Sequence, residues 1–154
     1  LGWHIQFNVS GSQIVELGRA CIHRRHRSFA VLNLLWKGIA HYAQRHGARY
    51  LMGCSSLTSQ DAAVGAAAFQ QLQLHLAPRE RRTWPVAHFA CPLDSMASEP
   101  VHIPRLFAAY LALGAEICGP PAIDREFRTI DFLTCLDLRA KGIATLQRRW
   151  GLVA

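Results

Sequence analysis

Ile14-Val15-Glu16-Leu17-Gly18-Arg19-Ala20-Cys21-Ile22 is the stretch whose reading decides the fold. It is apolar apart from one carboxylate and one guanidinium, and it reads as a buried strand. Such a strand accepts Glu16 and Arg19 only if they are paired or working, because removing one partner of a buried pair costs about 3–5 kcal/mol. The run then breaks into His23-Arg24-Arg25-His26-Arg27-Ser28. From Phe29 to Gln44 the apolar residues Val31, Leu34, Leu35, Ile39 and Tyr42 recur at helical spacing, and Gly47 follows as a C-terminal cap. Arg49-Tyr50-Leu51-Met52-Gly53-Cys54 reads as a second short strand. Strand, cationic turn, helix and strand in that order make a right-handed βαβ unit with two adjacent parallel strands. The turn lies at the helix N-terminus, where free N–H groups and the arginines together form an anion-binding corner.

Beyond this unit, Thr58 or Ser59 is placed to cap a second helix, with Asp61 in its first turn. That helix runs through an Ala-rich stretch to about Leu76. Residues 78–100, rich in Arg and Pro, read as an irregular surface excursion. Pro104 opens a helix over 105–113 that ends at Gly114. Residues 115–119 and 129–138 read as strands joined by a loop over 120–128. We expect one domain over 1–138, followed by a basic, weakly helical tail over 139–154, with no internal repeat.

The bulk composition narrows the classes. With 51% apolar residues the 154-residue chain is not disordered and can enclose a core. No apolar run reaches the roughly 18 residues needed to span a bilayer, and no signal-peptide pattern opens the chain. Cys21, Cys54, Cys91, Cys118 and Cys135 lack CxxC spacing and read as reduced thiols of a cytoplasmic protein. His23 with His26, and His41 with His46, have no accompanying Cys or carboxylate pattern, so no metal site is expected. The net charge of +7, from 17 Lys and Arg against 10 Asp and Glu, gathers around residues 24–27, 79–82 and 139–149. It implies an acidic partner: nucleic acid, anionic lipid or an acidic carrier protein.

These pieces resemble a known group. Glu16-Leu17-Gly18-Arg19-Ala20-Cys21-Ile22-His23, His26-Arg27, Leu34-Leu35-Trp36-Lys37-Gly38-Ile39-Ala40 and Tyr50-Leu51-Met52-Gly53-Cys54-Ser55-Ser56-Leu57 look like the ornithine-lipid N-acyltransferase and hemolysin-like branch of the GNAT acyltransferase superfamily. Pro104-Arg105-Leu106, Tyr110-Leu111-Ala112-Leu113-Gly114-Ala115, Cys118-Gly119, Pro121-Ala122, Asp124, Phe127, Thr129 and Asp131-Phe132-Leu133 agree in order. The resemblance covers residues 14–138. The branch is similar to acyl-homoserine-lactone synthases, which carry a comparable Glu-x-x-Arg. The fold implied is a GNAT-like α/β domain, a mixed sheet flanked by helices. Only about thirteen residues precede the Glu-x-x-Arg strand, so we expect the N-terminal portion of that fold to be lacking.

The resemblance implies transfer of a long, often 3-hydroxylated acyl chain from acyl carrier protein to the α-amine of an amino acid, ornithine foremost. Neither a permanently bound cofactor nor a nucleic acid is expected. The acyl-phosphopantetheine of the carrier protein is the donor, with acyl-CoA as the alternative. Peripheral contact with an anionic membrane surface, at the inner membrane, is a further expectation. A typical GNAT phosphate loop reads Arg/Gln-x-x-Gly-x-Gly/Ala; here the register gives Arg27-Ser28-Phe29-Ala30-Val31-Leu32, without glycine. A phosphopantetheine, with a single phosphodiester, needs less of that loop than coenzyme A does.

The candidate site follows. Glu16 would accept the ammonium proton, and Arg19 would bind the acceptor carboxylate or orient Glu16. The alternative is an ion pair that only ties the strand to a neighbour. Arg24, Arg25, Arg27 and Ser28 would hold the donor phosphate; the alternative is a solvated basic turn. Cys54 and Ser55, at the end of the second strand, are placed as substrate-binding residues; the resemblance adds Asp131, whose alternative role is to fix the strand-linking loop. Cys54 is not read as a nucleophile, for no His-Asp arrangement can be placed beside it. Trp36, Tyr42, Phe107 and Tyr110 read as core. Two rival functions remain: a coenzyme A-dependent N-acyltransferase, and a non-catalytic basic binding remnant of the fold.

Overall fold

A computed structural model of the chain describes residues 3–5, 13–18, 21–95, 97–140 and 143. Within them three helices lie against a mixed sheet. The strands are β1 (Trp3–Ile5), β2 (Ile14–Glu16), β3 (Tyr50–Leu57), β4 (Thr83–Pro85), β5 (Glu116–Ile117), β6 (Ala122–Asp124) and β7 (Thr129–Asp137). The helices are α1 (Phe29–Arg45), α2 (Ala62–Gln71) and α3 (Arg105–Ala112). The main sheet has the order β2-β3-β7-β5, with β6 also paired to β7, while β1 and β4 form a separate antiparallel ribbon.

The βαβ unit forms as the sequence implies. β2 and β3 are parallel, with Ile14 opposite Tyr50 and Glu16 opposite Met52. α1 connects them. Its N-cap is Ser28, whose hydroxyl accepts a hydrogen bond from the Val31 amide at 3.3 Å. Its chain leaves through Gly47 at φ 63°, a conformation that favours glycine.

The first strand is shorter than the apolar run. Only residues 14–16 pair as a strand, Cys21 and Ile22 lie outside it, and Arg19 falls outside the described residues. Ile14 and Val15 are half-buried and Glu16 is exposed, so the run is not the sealed strand its composition suggested. β3 extends three residues further than expected, to Leu57, because β7 pairs with it along its whole length.

The second half departs in detail. Asp61, not Thr58 or Ser59, caps α2: its carboxylate accepts from the Ala63 amide at 2.9 Å, while the Ser59 hydroxyl accepts from the Asp61 amide. α2 ends at Gln71, and a single 3-10 turn, Gln73–His75, follows it. The segment from 78 to 100 contributes β4 and two 3-10 turns. The expected strand over 115–119 shortens to β5, and β6 forms within the expected loop over 120–128. β5 and β6 follow one another along the same edge of β7, separated by Pro120-Pro121, whose missing N–H groups interrupt the ladder.

Side chains alternate across the sheet. Leu57, Ile117, Ile130 and Phe132 face α2 and α3, in a core with Leu72, Phe107 and Leu111. Leu51 and Leu136 meet α1 through Ala43, Trp36 and Ile39. Tyr50, Met52, Leu133 and Cys135 point to the opposite side, under Trp3 of β1 and Phe89. Ile117, Ile130 and Phe132 are fully buried, and each contributes about 1.5–3 kcal/mol. Arg49 clamps the ends of two strands, donating from Nε to Asp137 Oδ1 at 3.1 Å and from Nη2 to Oδ2 at 2.7 Å. The Arg49 and Arg81 guanidiniums lie 4.8 and 5.9 Å from the centre of the Tyr50 ring. Arg81 also pairs with Glu116.

Candidate acyl-transfer site

The carboxyl ends of two parallel strands are where α/β sites open, and here the described pairing of β2 with β3 ends at that point. The Leu17 amide donates to the Met52 carbonyl at 2.6 Å, extending the pairing one residue past β2. Among the described residues no further backbone hydrogen bond joins Leu17 or Gly18 to β3, which continues from Gly53 to Leu57 paired with β7. Gly53 allows the approach: a Cβ there would stand 2.8 Å from the Leu17 carbonyl oxygen.

Glu16 and Cys54 sit on one face of this opening, and both are exposed. On the same face, Asp131 lies opposite Ser56 in the β3–β7 register. One oxygen of Asp131, Oδ1, is buried without a hydrogen-bond partner among the described residues. The Cys54 thiol is pushed up to about 11. Although the residue is exposed, desolvation of its sulfur is the largest cause; the carboxylates of Asp131 and Glu16 add to it, and a Trp3 hydrogen bond works the other way. A thiol held neutral in this way is a poor nucleophile.

Ser55 projects to the other face. It is buried, and its hydroxyl lies 3.2 Å from that of Thr134, which donates to the Gly53 carbonyl at 2.8 Å. The structure therefore brings Glu16, Cys54 and Asp131 together and gives Ser55 a role in joining β3 to β7. Trp3 is a neighbour the sequence did not indicate; its strand is three residues long and carries no alternation to read.

The cationic turn stands at the same end of the sheet. Arg24, Arg25 and His26 form a 3-10 turn, and all three are exposed, as is Arg27. The Arg25 amide donates to His23 Nδ1 at 3.4 Å, and Arg27 Nε donates to the Ile22 carbonyl at 3.1 Å. Arg27 is thereby anchored just ahead of Ser28 and the first turn of α1. Among the described residues no group of three or more His, Cys, Asp or Glu is placed to hold a metal ion. No helix among them is long and apolar enough to cross a membrane.

Of the four aromatic residues read as core, Phe107 is buried and Trp36 and Tyr110 are half-buried, their rings meeting edge to face with centres 5.4 Å apart. Tyr42 is 55% exposed. Leu34 and Leu35 of the same helix are exposed as well.

Comparison with known proteins agrees with this architecture. Residues 5–37 match the Acetyltransferase (GNAT) domain family. The chain is 33% identical over 140 residues to the L-ornithine N(alpha)-acyltransferase of Rhodobacter capsulatus, covering 86% of this chain and 53% of that protein. It is 30% identical over 138 residues to the enzyme of that name from Rhizobium meliloti, covering 83% and 46%. For Brucella abortus the figures are 32% over 136 residues, covering 82% and 48%. No solved structure gives a significant match. The chain thus spans about half the length of the curated relatives it matches, and over that half it is homologous to ornithine N-acyltransferases within a GNAT-like fold.

Proposed function

We propose that the chain carries the acyl-transfer centre of an N-acyltransferase that moves a fatty acyl group from the phosphopantetheine thioester of acyl carrier protein to the α-amine of an amino acid, ornithine first among acceptors. The observation that carries this reading is the exposed Glu16 carboxylate at the carboxyl end of β2, where the described pairing with β3 ends, at the end of the sheet that also holds the Arg24–Arg27 turn.

Amide formation needs a neutral amine, a polarised thioester carbonyl and attack geometry. Glu16 takes a proton from the acceptor ammonium, directly or through water. The amine nitrogen then attacks the thioester carbonyl. Backbone N–H groups where the strands separate are suited to bind the oxygen as it gains charge. The C–S bond breaks, the pantetheine sulfur leaves as thiolate, and it takes up the proton that the attacking nitrogen sheds as the amide forms. Arg24, Arg25 and Arg27, with the helix start at Ser28, hold the donor phosphate. Asp131, on the same face as Glu16 and Cys54, adds negative charge that would favour a cationic acceptor. Arg19 would bind the acceptor carboxylate. The neutral Cys54 thiol favours direct transfer over an acyl-enzyme.

A coenzyme A donor is the second reading. Ala30 and Leu32 stand where the GNAT loop carries glycine, which favours the single phosphodiester of a carrier arm.

The test is product formation from ornithine with 3-hydroxyacyl carrier protein or with acetyl-CoA, read by mass spectrometry. Acylornithine from the carrier protein, lost in Glu16→Gln with an unchanged circular dichroism spectrum, is the expected result. Undiminished yield in Glu16→Gln removes that residue from the mechanism. Product from acetyl-CoA alone overturns the choice of donor.

A further inference from the structure

Two hydroxyls are buried in an apolar face of the sheet. Leu51, Leu57, Ile130, Phe132 and Leu136 pack under the helices, and between them the same face carries Gly53, Ser55 and Thr134. Ser55 is 5% exposed and Thr134 7%. The Thr134 hydroxyl donates to the Gly53 carbonyl at 2.8 Å and lies 3.2 Å from the Ser55 hydroxyl. A hydroxyl has one proton to give. That of Thr134 goes to Gly53, so Ser55 is the donor in the second bond. The bonds run in one direction, from Ser55 to Thr134 to Gly53.

The Gly53 carbonyl is one end of a peptide unit whose other end is the Cys54 N–H. The unit is trans, so the two groups point in opposite directions. Along β3 the backbone groups turn alternately to β7 and to β2. The Leu138 amide donates to the Arg49 carbonyl and the Leu17 amide to the Met52 carbonyl, so odd-numbered residues face β7 and even-numbered ones face β2. The Cys54 N–H therefore faces β2, one step past the last described bond between the two strands. Among the described residues no backbone hydrogen bond takes it up there. Linked hydrogen bonds polarise one another, so donation to the Gly53 oxygen draws electrons from the amide nitrogen and strengthens its N–H as a donor. We propose that Ser55 and Thr134 are positioning residues for acyl transfer: their relay orients and polarises the Gly53–Cys54 peptide so that the Cys54 N–H binds the thioester oxygen as charge builds on it. Packing alone would be met by Val at 134 and Ala at 55, with no polar group to bury. This inference rests on the acyl-transfer reading.

Two measurements on the whole chain test it. Thr134→Val keeps the outline of the side chain and removes the middle hydroxyl; Thr134→Ser keeps the hydroxyl. The first measurement needs no substrate: the nitrogen and proton resonances of the Cys54 amide should move to lower frequency in Thr134→Val and return toward the parent position in Thr134→Ser. The second is turnover of ornithine with 3-hydroxyacyl carrier protein. In Thr134→Val, kcat should fall about three- to tenfold with both KM values unchanged, short of the roughly hundredfold loss from deleting an oxyanion donor outright. Thr134→Ser should restore it. Where Thr134→Val does not fold, Ser55→Ala, at the outer end of the relay, carries the same two measurements. Hydroxyls that only join β3 to β7 would lower the urea midpoint without separating kcat from KM. An unmoved Cys54 resonance, an unchanged kcat, or a loss that Thr134→Ser does not restore overturns the relay. A parent chain that makes no product while the Cys54 resonance still responds overturns the acyl-transfer reading, and the catalytic use of the relay with it.

Discussion

Gly53 and Leu17 stand so close that one added carbon would force the two strands apart: a Cβ on Gly53 would lie 2.8 Å from the Leu17 carbonyl oxygen. Leu17 is also the last residue joined to β3 before the opening, through its amide and the Met52 carbonyl. The close approach of Leu17 to β3 therefore depends on the absence of a side chain at Gly53.

Gly53→Ala should displace the end of β2 and destabilise the fold by about 1–3 kcal/mol, the range for overpacking a fitted site. Urea unfolding measures the loss. An unchanged midpoint would show that Leu17 moves aside freely.

Cys54 should react slowly for an exposed thiol. At pH 8 a group titrating at about 11 is about one part in a thousand thiolate. In a Cys21→Ser background, which leaves Cys54 as the exposed thiol among the described cysteines, alkylation by iodoacetamide should accelerate steadily from pH 8 toward pH 11. Asp131→Asn removes a carboxylate that opposes ionisation and should raise the rate at pH 8. A rate insensitive to that change would separate Asp131 from the thiol.

The Arg49–Asp137 clamp gives stability a dependence on acid. Burial raises the Asp137 carboxyl, but hydrogen bonds from Arg49 and the Arg139 amide outweigh it and hold the group below its ordinary value. The folded state therefore binds this proton less readily than the unfolded chain. The contribution is complete above the unfolded pKa of about 3.9 and is lost as the pH falls through the lower, folded value. Asp137→Asn should lower the urea midpoint at pH 7, and the gap from the parent should close as the pH approaches 3. A constant gap would assign the effect to shape rather than charge.

The βαβ unit was legible because its signals are local. α1 has a helical period, Ser28 before it and Gly47 after it, and its length requires parallel neighbours. Strand extent was not legible, since pairing depends on a partner: 14–22 is apolar apart from Glu16 and Arg19, yet among its described residues only 14–16 form a strand with β3. β1, β4 and β6 are three residues each, too short for alternation to register. Thr58, Ser59 and Asp61 are all competent caps, and only the path of the chain chose Asp61. In the site, Glu16 reads as interior to a strand over 14–22, and only the short pairing of β2 puts it at a strand end. Cys54 and Ser55 could not be separated until the register fixed their faces, because adjacent residues on a strand point to opposite sides. Tyr42 shows the limit of periodicity, which locates an apolar stripe without telling how much of it the sheet covers.

The position of β7 in the sheet bears on how the molecule is made. β3, β5 and β6 each pair with this one segment, and it comes after all of them in the chain. Until β7 has been made, β3 has, among the described residues, the three of β2 beside it, and β5 and β6 lack the described strand they pair with. The described sheet thus closes only after β7 has been made, and a nascent chain halted before that point would hold β3, β5 and β6 without their common neighbour, a target for chaperones.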